Sequence, residues 1–220
     1  MLILFSKRMP CGGNPKLTYN QKIMSPITAA FFGISGSGKG TQCILLENIL
    51  KEKDPSRGVV RPEMGDLLRT FMQSGTSLAQ HTAEIVNSGG LVPSFIPIYM
   101  LTGILNQSFD GTEHLILDGT CRRPDQSRAV DEMMKLWKRS NLQAIVLTLS
   151  KESAKKRLIS RGRVDDATDE AMNSRFAWYE EHVVPSFEEL RKLGWAVHEL
   201  DGEPDVQTVH KNILAALQVS

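Results

Sequence analysis

Ile27-Thr-Ala-Ala-Phe-Phe-Gly33-Ile-Ser-Gly36-Ser-Gly38-Lys39-Gly40-Thr41-Gln42 is the stretch that decides the fold. Its first half is a short apolar run ending in glycine, which reads as a buried strand. From Lys39 to Lys53 the apolar residues Ile44, Leu45, Ile49 and Leu50 fall at helical spacing. Between strand and helix lie glycines that let the backbone wrap closely, so that successive N–H groups can point at phosphate oxygens. The positive N-terminal end of the helix adds to that attraction. The candidate cradle is Gly33, Gly36, Ser37, Gly38, Lys39, Gly40 and Thr41, with Lys39 reaching the β- and γ-phosphates of a donor nucleotide. A turn that merely joins a strand to a helix is the plainer alternative. Strand, loop and helix in the required order weigh against it.

Outward from this point, strands and helices alternate. Gly58–Pro62, His114–Asp118, Ala144–Thr148 and Trp195–Leu200 read as further strands, and helical patterns cover 65–73, 77–88, 94–105, 125–138, 151–161, 168–192 and 205–217. Apolar strands alternating with helices predict an α/β fold with a five-stranded parallel sheet covered on both faces. The stretch 62–112 holds more helix than one crossover needs, so an inserted subdomain is expected near 62–93.

The bulk figures fit one domain. The chain has 220 residues, 41% of them hydrophobic, enough for one sizeable core. Its net charge of +1 hides an asymmetry: residues 1–26 carry Lys7, Arg8, Lys16 and Lys22 and no acidic residue, leaving 22 basic against 25 acidic residues elsewhere. A body so balanced has no general pull toward nucleic acid. Residues 1–26 read as a disordered basic extension, or as the product of an upstream start with Met24 the natural beginning. Cys11, Cys43 and Cys121 are odd in number and widely spaced, which indicates neither a disulfide framework nor a zinc site and suits a reducing, cytoplasmic setting. No apolar run approaches the length that crosses a bilayer.

The form GxxGxGKGTQ resembles the adenylate kinases, nucleoside monophosphate kinases of the P-loop kinase fold. The resemblance extends over nearly everything from residue 27 onward. Gly65-Asp66-Leu67-Leu68-Arg69 is similar to the family's GD(L/M)LR, where Arg69 would grip the acceptor's phosphate and Met64 and Gly65 would border its base. Gly90, Leu91 and Val92 match a segment that passes beside that base. Asp118-Gly119-Thr120-Cys121-Arg122-Arg123-Pro124-Asp125-Gln126 resembles DGFPRxxxQ, placing Gly119 and Arg122 at the acceptor phosphate and Gln126 at the base. Thr120-Cys121 departs from the family's Phe-Pro; Cys121 is read as a small apolar filler. Arg157, Arg161, Arg163 and Arg175 match the arginines of a closing lid, with Asp165 and Asp166 as its carboxylates, and Gly202 matches the loop at the donor adenine. The lid, near 161–167, is unusually short.

What the resemblance implies is transfer of the γ-phosphoryl group of Mg·ATP to a nucleoside monophosphate, with AMP favoured, giving two ADP. Lys39, Arg122, Arg161, Arg163 and Arg175 would be the catalytic cations. Arg157, Arg161 and Gly202 would complete the ATP site. Arg163 and Arg175 would also face the AMP. Mg²⁺ would be held by phosphates and water near Asp118, not by a loop hydroxyl. Gln126 favours adenine; Met64, where adenylate kinases commonly have threonine, does not. A UMP/CMP kinase, a catalytically weak nucleotide-binding protein and a P-loop kinase acting on a non-nucleotide remain as alternatives, the last disfavoured by the GDLLR and DGxxRxxxQ elements. No exposed apolar helix is foreseen, and a monomer is expected.

Overall fold

A computed structural model of the chain describes residues 24–88, 90–162 and 168–219. Five strands form one parallel sheet: β1 Thr28–Gly33, β2 Val59–Val60, β3 His114–Asp118, β4 Leu142–Thr148 and β5 Ala196–Asp201, in the spatial order β2-β3-β1-β4-β5. β1 lies at the centre, in register with β3 (Ala30 opposite Leu117) and with β4 (Ala30 opposite Ala144). Every residue of β1 and β3 is buried, as expected of strands covered on both faces. This arrangement is the P-loop kinase fold.

Helices close both faces. α1 Lys39–Lys53 and α9 Val206–Ala216 cover one side. Phe31 points there, into a cluster with Cys43, Leu46, Leu50 and Ile213. Its neighbour Phe32 points the other way, as the two-residue period of a strand requires, and packs edge-on against Phe187 at 5.7 Å. That second cluster joins α2 Met64–Met72, α4 Phe95–Ser108, α5 Pro124–Leu136 and α8 Val184–Lys192, with α3 Ser77–Asn87 at its margin. α2 and α3 fall within 62–93, the stretch where an insert is expected. α6 Lys151–Arg161 and α7 Asp169–Trp178 form a smaller cluster around Leu158, Met172 and Phe176.

Three expectations need correction. The helix foreseen over 168–192 runs on but is not α-helical throughout: a π-helical turn, Tyr179–Val183, lies between α7 and α8. Pro185 sits in the first turn of α8 and has no N–H for an α-type bond to the preceding turn, which favours the wider coil just before it. The strand at 58–62 shrinks to Val59–Val60, because Pro62 cannot donate to a ladder. Third, α4 exposes apolar side chains, Phe95 at 57% and Tyr99 at 67%, and Tyr99 lines a shallow groove shared with Leu67 and Phe71 of α2. Among the described residues no helix is long and apolar enough to cross a membrane.

Candidate active site

β1, β3 and β4 end together at their carboxyl edge, and a cleft of about 550 Å³ opens there. Ligands of open α/β sheets bind at this edge, where the strand order reverses. One wall is the loop between β1 and α1. Gly36 and Gly38 both adopt left-handed backbone, with φ of +87° and +89°. A Cβ on Gly36 would stand 2.8 Å from the Ala154 carbonyl, whereas one on Gly38 would meet nothing within 4 Å. The first glycine is therefore demanded by packing against α6, and the second by its left-handed backbone, with open space beside it.

Lys39 folds back over this loop. Its ammonium donates to the Gly33 carbonyl at 2.6 Å and the Ile34 carbonyl at 3.1 Å. Burial pulls its pKa down to about 8, partly opposed by the carboxylate of Asp118 and reinforced by Arg122. Asp118 ends β3 and is 7% exposed. Burial raises its pKa, while Lys39, Arg61 and Arg122 hold it back. Arg122, on the loop after β3, donates from Nε to the Gly119 carbonyl at 3.2 Å. Its pKa is lowered by burial first and by the positive charge of Arg175 second.

The opposite wall belongs to α2. Arg69 reaches into the cleft but is already held by Asp66 and, at 3.4 Å, by Glu63. Burial and the neighbouring carboxyls of Asp66 and Asp118 raise the Glu63 pKa, with Arg69 opposing them. Glu63 also stands 3.9 Å from Arg61, which pairs with Glu47 at 2.6 Å. The far end is made by α6 and α7. Arg157, Arg161 and Arg175 line it, and Arg157 donates from Nη2 to the carbonyls of Gly202 at 2.9 Å and Glu203 at 3.1 Å.

The fold thus gathers Gly33, Gly36, Gly38, Lys39, Gly40, Thr41, Gly65, Arg69, Gly119, Arg122, Arg157, Arg161 and Arg175 around one cleft. Other expected residues stand back from its lining. Ser37 is buried beneath the loop. Gly202 meets the site through Arg157. Met64 is 1% exposed and packs in the core. Val92 is core as well, and the Leu91 carbonyl, next to Gly90, accepts from Arg123 at 3.3 Å. Gln126 is 2% exposed. Its Oε1 accepts the Arg122 N–H at 2.7 Å, and its Nε2 donates to Ser94 Oγ at 3.3 Å. In this state it shapes the 119–123 loop. Cys121, by contrast, does line the cleft; it is buried, and burial pushes its thiol up to about 12, which makes it an inert filler. Arg163, Asp165 and Asp166 lie outside the described residues.

Glu63 and Trp178 line the cleft although no motif pointed to them. Trp178 follows Arg175 by three residues on a helix, and that spacing puts both on one face. Glu63 stands two residues before the GDLLR element, where nothing in its spacing sets it apart from an ordinary surface carboxylate.

Comparison with known proteins agrees with this geometry. The adenylate kinase sequence profile matches residues 31–194. An adenylate kinase of Prochlorococcus marinus (strain MIT 9211) is 33% identical over 188 residues, covering 85% of this chain and 95% of that protein. One from Nocardia farcinica is 30% identical over 186 residues, covering 84% and 96% respectively. One from Archaeoglobus fulgidus is 28% identical over 218 residues, covering 86% and 96%. With a phosphate-binding loop, two arginine-bearing walls and this match over most of its length, the chain belongs to the adenylate kinase family, whose members pass a phosphoryl group between ATP and a nucleoside monophosphate.

Proposed function

We propose that the chain phosphorylates AMP from Mg·ATP, reversibly, giving two ADP. The observation that carries this reading is the pair of phosphate-directed walls in one cleft: the glycine loop with Lys39 on one side, Arg69 and Arg122 on the other. Two ligands held phosphate to phosphate need no covalent intermediate, because positioning and charge neutralisation supply most of the catalysis. On ATP binding, Lys39 exchanges the carbonyls of Gly33 and Ile34 for phosphate oxygens, while Gly40 and Thr41 at the start of α1 add helix N–H groups. Arg69 and Arg122 hold the acceptor phosphate in line, and Arg161 and Arg175 spread the developing charge. Arg163, with Asp165 and Asp166, would complete the lid.

Asp118 fits a role toward Mg²⁺. Its carboxylate is buried beside the loop, and a Cβ on Gly40 would lie only 3.6 Å from Oδ2. A lone carboxylate suits a metal-bound water better than direct ligation. The bound cation would neutralise charge on the phosphates.

AMP is favoured because the matched relatives are adenylate kinases and because the Gln126 amide has one long contact, to Ser94, that an adenine edge can replace. We take the chain as cytoplasmic, in keeping with its buried free thiols Cys43 and Cys121. A coupled assay of kcat/KM for AMP, UMP, CMP and GMP tests the reading. AMP should lead. A lead for UMP or CMP overturns the acceptor while leaving the phosphate chemistry in place, and no turnover with any of them, in a folded protein that binds ATP, makes the chain a nucleotide-binding protein without kinase activity.

A further inference from the structure

Trp178 closes α7 at the edge of the cleft, half-buried, and its indole Nε1 is fully buried without a hydrogen-bond partner among the described residues. Buried donors in native proteins are nearly always paired, and an exception calls for an explanation. The same group of Trp195 obeys the rule, donating to Asp131 Oδ1 at 3.0 Å.

What surrounds Trp178 narrows the missing partner. The Arg122 guanidinium carbon sits 6.0 Å from the centre of the indole ring, within cation–π range. Arg175 is one turn earlier on the same helix face and close enough to lower the Arg122 pKa. An indole with one guanidinium over its ring and a second arginine one turn back on its helix is suited to donate to an anionic oxygen and unsuited to a cation or a second donor. The π-helical turn that starts at Tyr179 brings Tyr179 and Val183 to the same cleft, and such turns recur at ligand sites.

We propose that Trp178 is an acceptor-binding residue: its indole N–H donates to a phosphate oxygen of the bound nucleoside monophosphate, and its ring backs the Arg122 guanidinium. The proposal rests on the reading of Arg122 as an acceptor-phosphate ligand. It adds a neutral, directional donor to a site otherwise built of charges, and it ties the acceptor to α7, the helix that also carries Arg175.

Three variants and one spectrum test it. Trp178→Phe keeps the ring and removes the donor; Trp178→Leu removes both; Arg122→Ala checks the underlying site. Losing a hydrogen bond to a charged group should raise the acceptor KM about tenfold in Trp178→Phe. The KM for ATP and the Tm should be unchanged. Trp178→Leu should raise the acceptor KM further. In the unaltered protein, adding AMP alone should shift one of the three indole N–H resonances in a ¹⁵N–¹H spectrum, a result independent of whether any variant folds. A wild-type acceptor KM in Trp178→Phe, alongside a raised one in Arg122→Ala, overturns the proposal and leaves the acceptor site standing. An unchanged KM in both removes the acceptor reading as well. A lowered Tm with both KM values raised, or no indole shift with AMP, makes Trp178 a packing residue only.

Discussion

The two walls of the cleft, which the proposed function assigns to donor and acceptor, are built on different principles. The donor wall is backbone: a loop whose shape is set by glycines at φ of +87° and +89° and whose lysine rests on its own carbonyls. The acceptor wall is side chain: Arg69 is held by Glu63 and Asp66, and Arg122 is positioned through the Gln126 amide. A backbone cradle is ready before its ligand arrives. An arginine already paired with carboxylates must exchange them for phosphate, so on the proposed reading the acceptor would bind at the expense of internal ion pairs.

The contrast breaks most sharply at Lys39. Lys39→Met should keep the fold and lower turnover by about 10³-fold or more, as removal of cationic clamps on a transferring phosphoryl group does; circular dichroism and a coupled assay suffice. Near-normal turnover would mean that the loop alone does the work assigned to its lysine.

Arg157→Ala removes the two bonds that join α6 to the carbonyls of Gly202 and Glu203. Its KM for ATP should rise about tenfold with kcat little changed, given what hydrogen bonds to a charged group contribute. A change confined to the acceptor KM would place Arg157 on the wrong side of the cleft.

Glu63→Gln tests the acceptor wall in the opposite direction. The Arg69 side chain is 47% exposed, so its ion pair is weak, about 0.2–1 kcal/mol. Loosening it should lower the AMP KM by about two- to fivefold and leave the KM for ATP alone. A higher AMP KM would show that Glu63 holds the acceptor and does not compete with it.

The smallest effect is a proton count. Lys39 in the free protein titrates near 8 rather than 10.5. Between these values the folded chain binds fewer protons than the unfolded one, so this group makes stability rise with pH across that window and adds no such gain below it. Bound triphosphate favours the ammonium. ATP binding at pH about 9 should therefore take up a fraction of a proton, read by calorimetry in buffers of different ionisation enthalpy. Binding without uptake would show Lys39 already charged on its loop.

This division also explains what the amino-acid sequence revealed. Glycines that must adopt positive φ announce themselves, so the loop from Gly33 to Thr41 was legible, as were the apolar strands on either side of it. The acceptor wall was legible only in part. Arg69 and Arg122 could be placed from their motifs, but the direction of a side chain is decided by what packs against it. Met64, at the start of α2, fell into the core, and Gln126 turned toward the backbone of Arg122, where the family resemblance put both at a base. The π-helical turn had a visible cause in Pro185, yet α-helical periodicity over 168–192 concealed it, since one widened turn shifts the face without ending the helix.

β1 has a consequence for how the protein melts. Phe31 belongs to one cluster and Phe32 to the other, so this central strand is shared property of both hydrophobic layers. Neither layer can loosen without exposing one of the two rings, and the loop with Lys39 hangs from the same strand. Heat or denaturant should thus take the sheet and its two layers apart in a single cooperative step, with the β1 amides among the last to exchange with solvent.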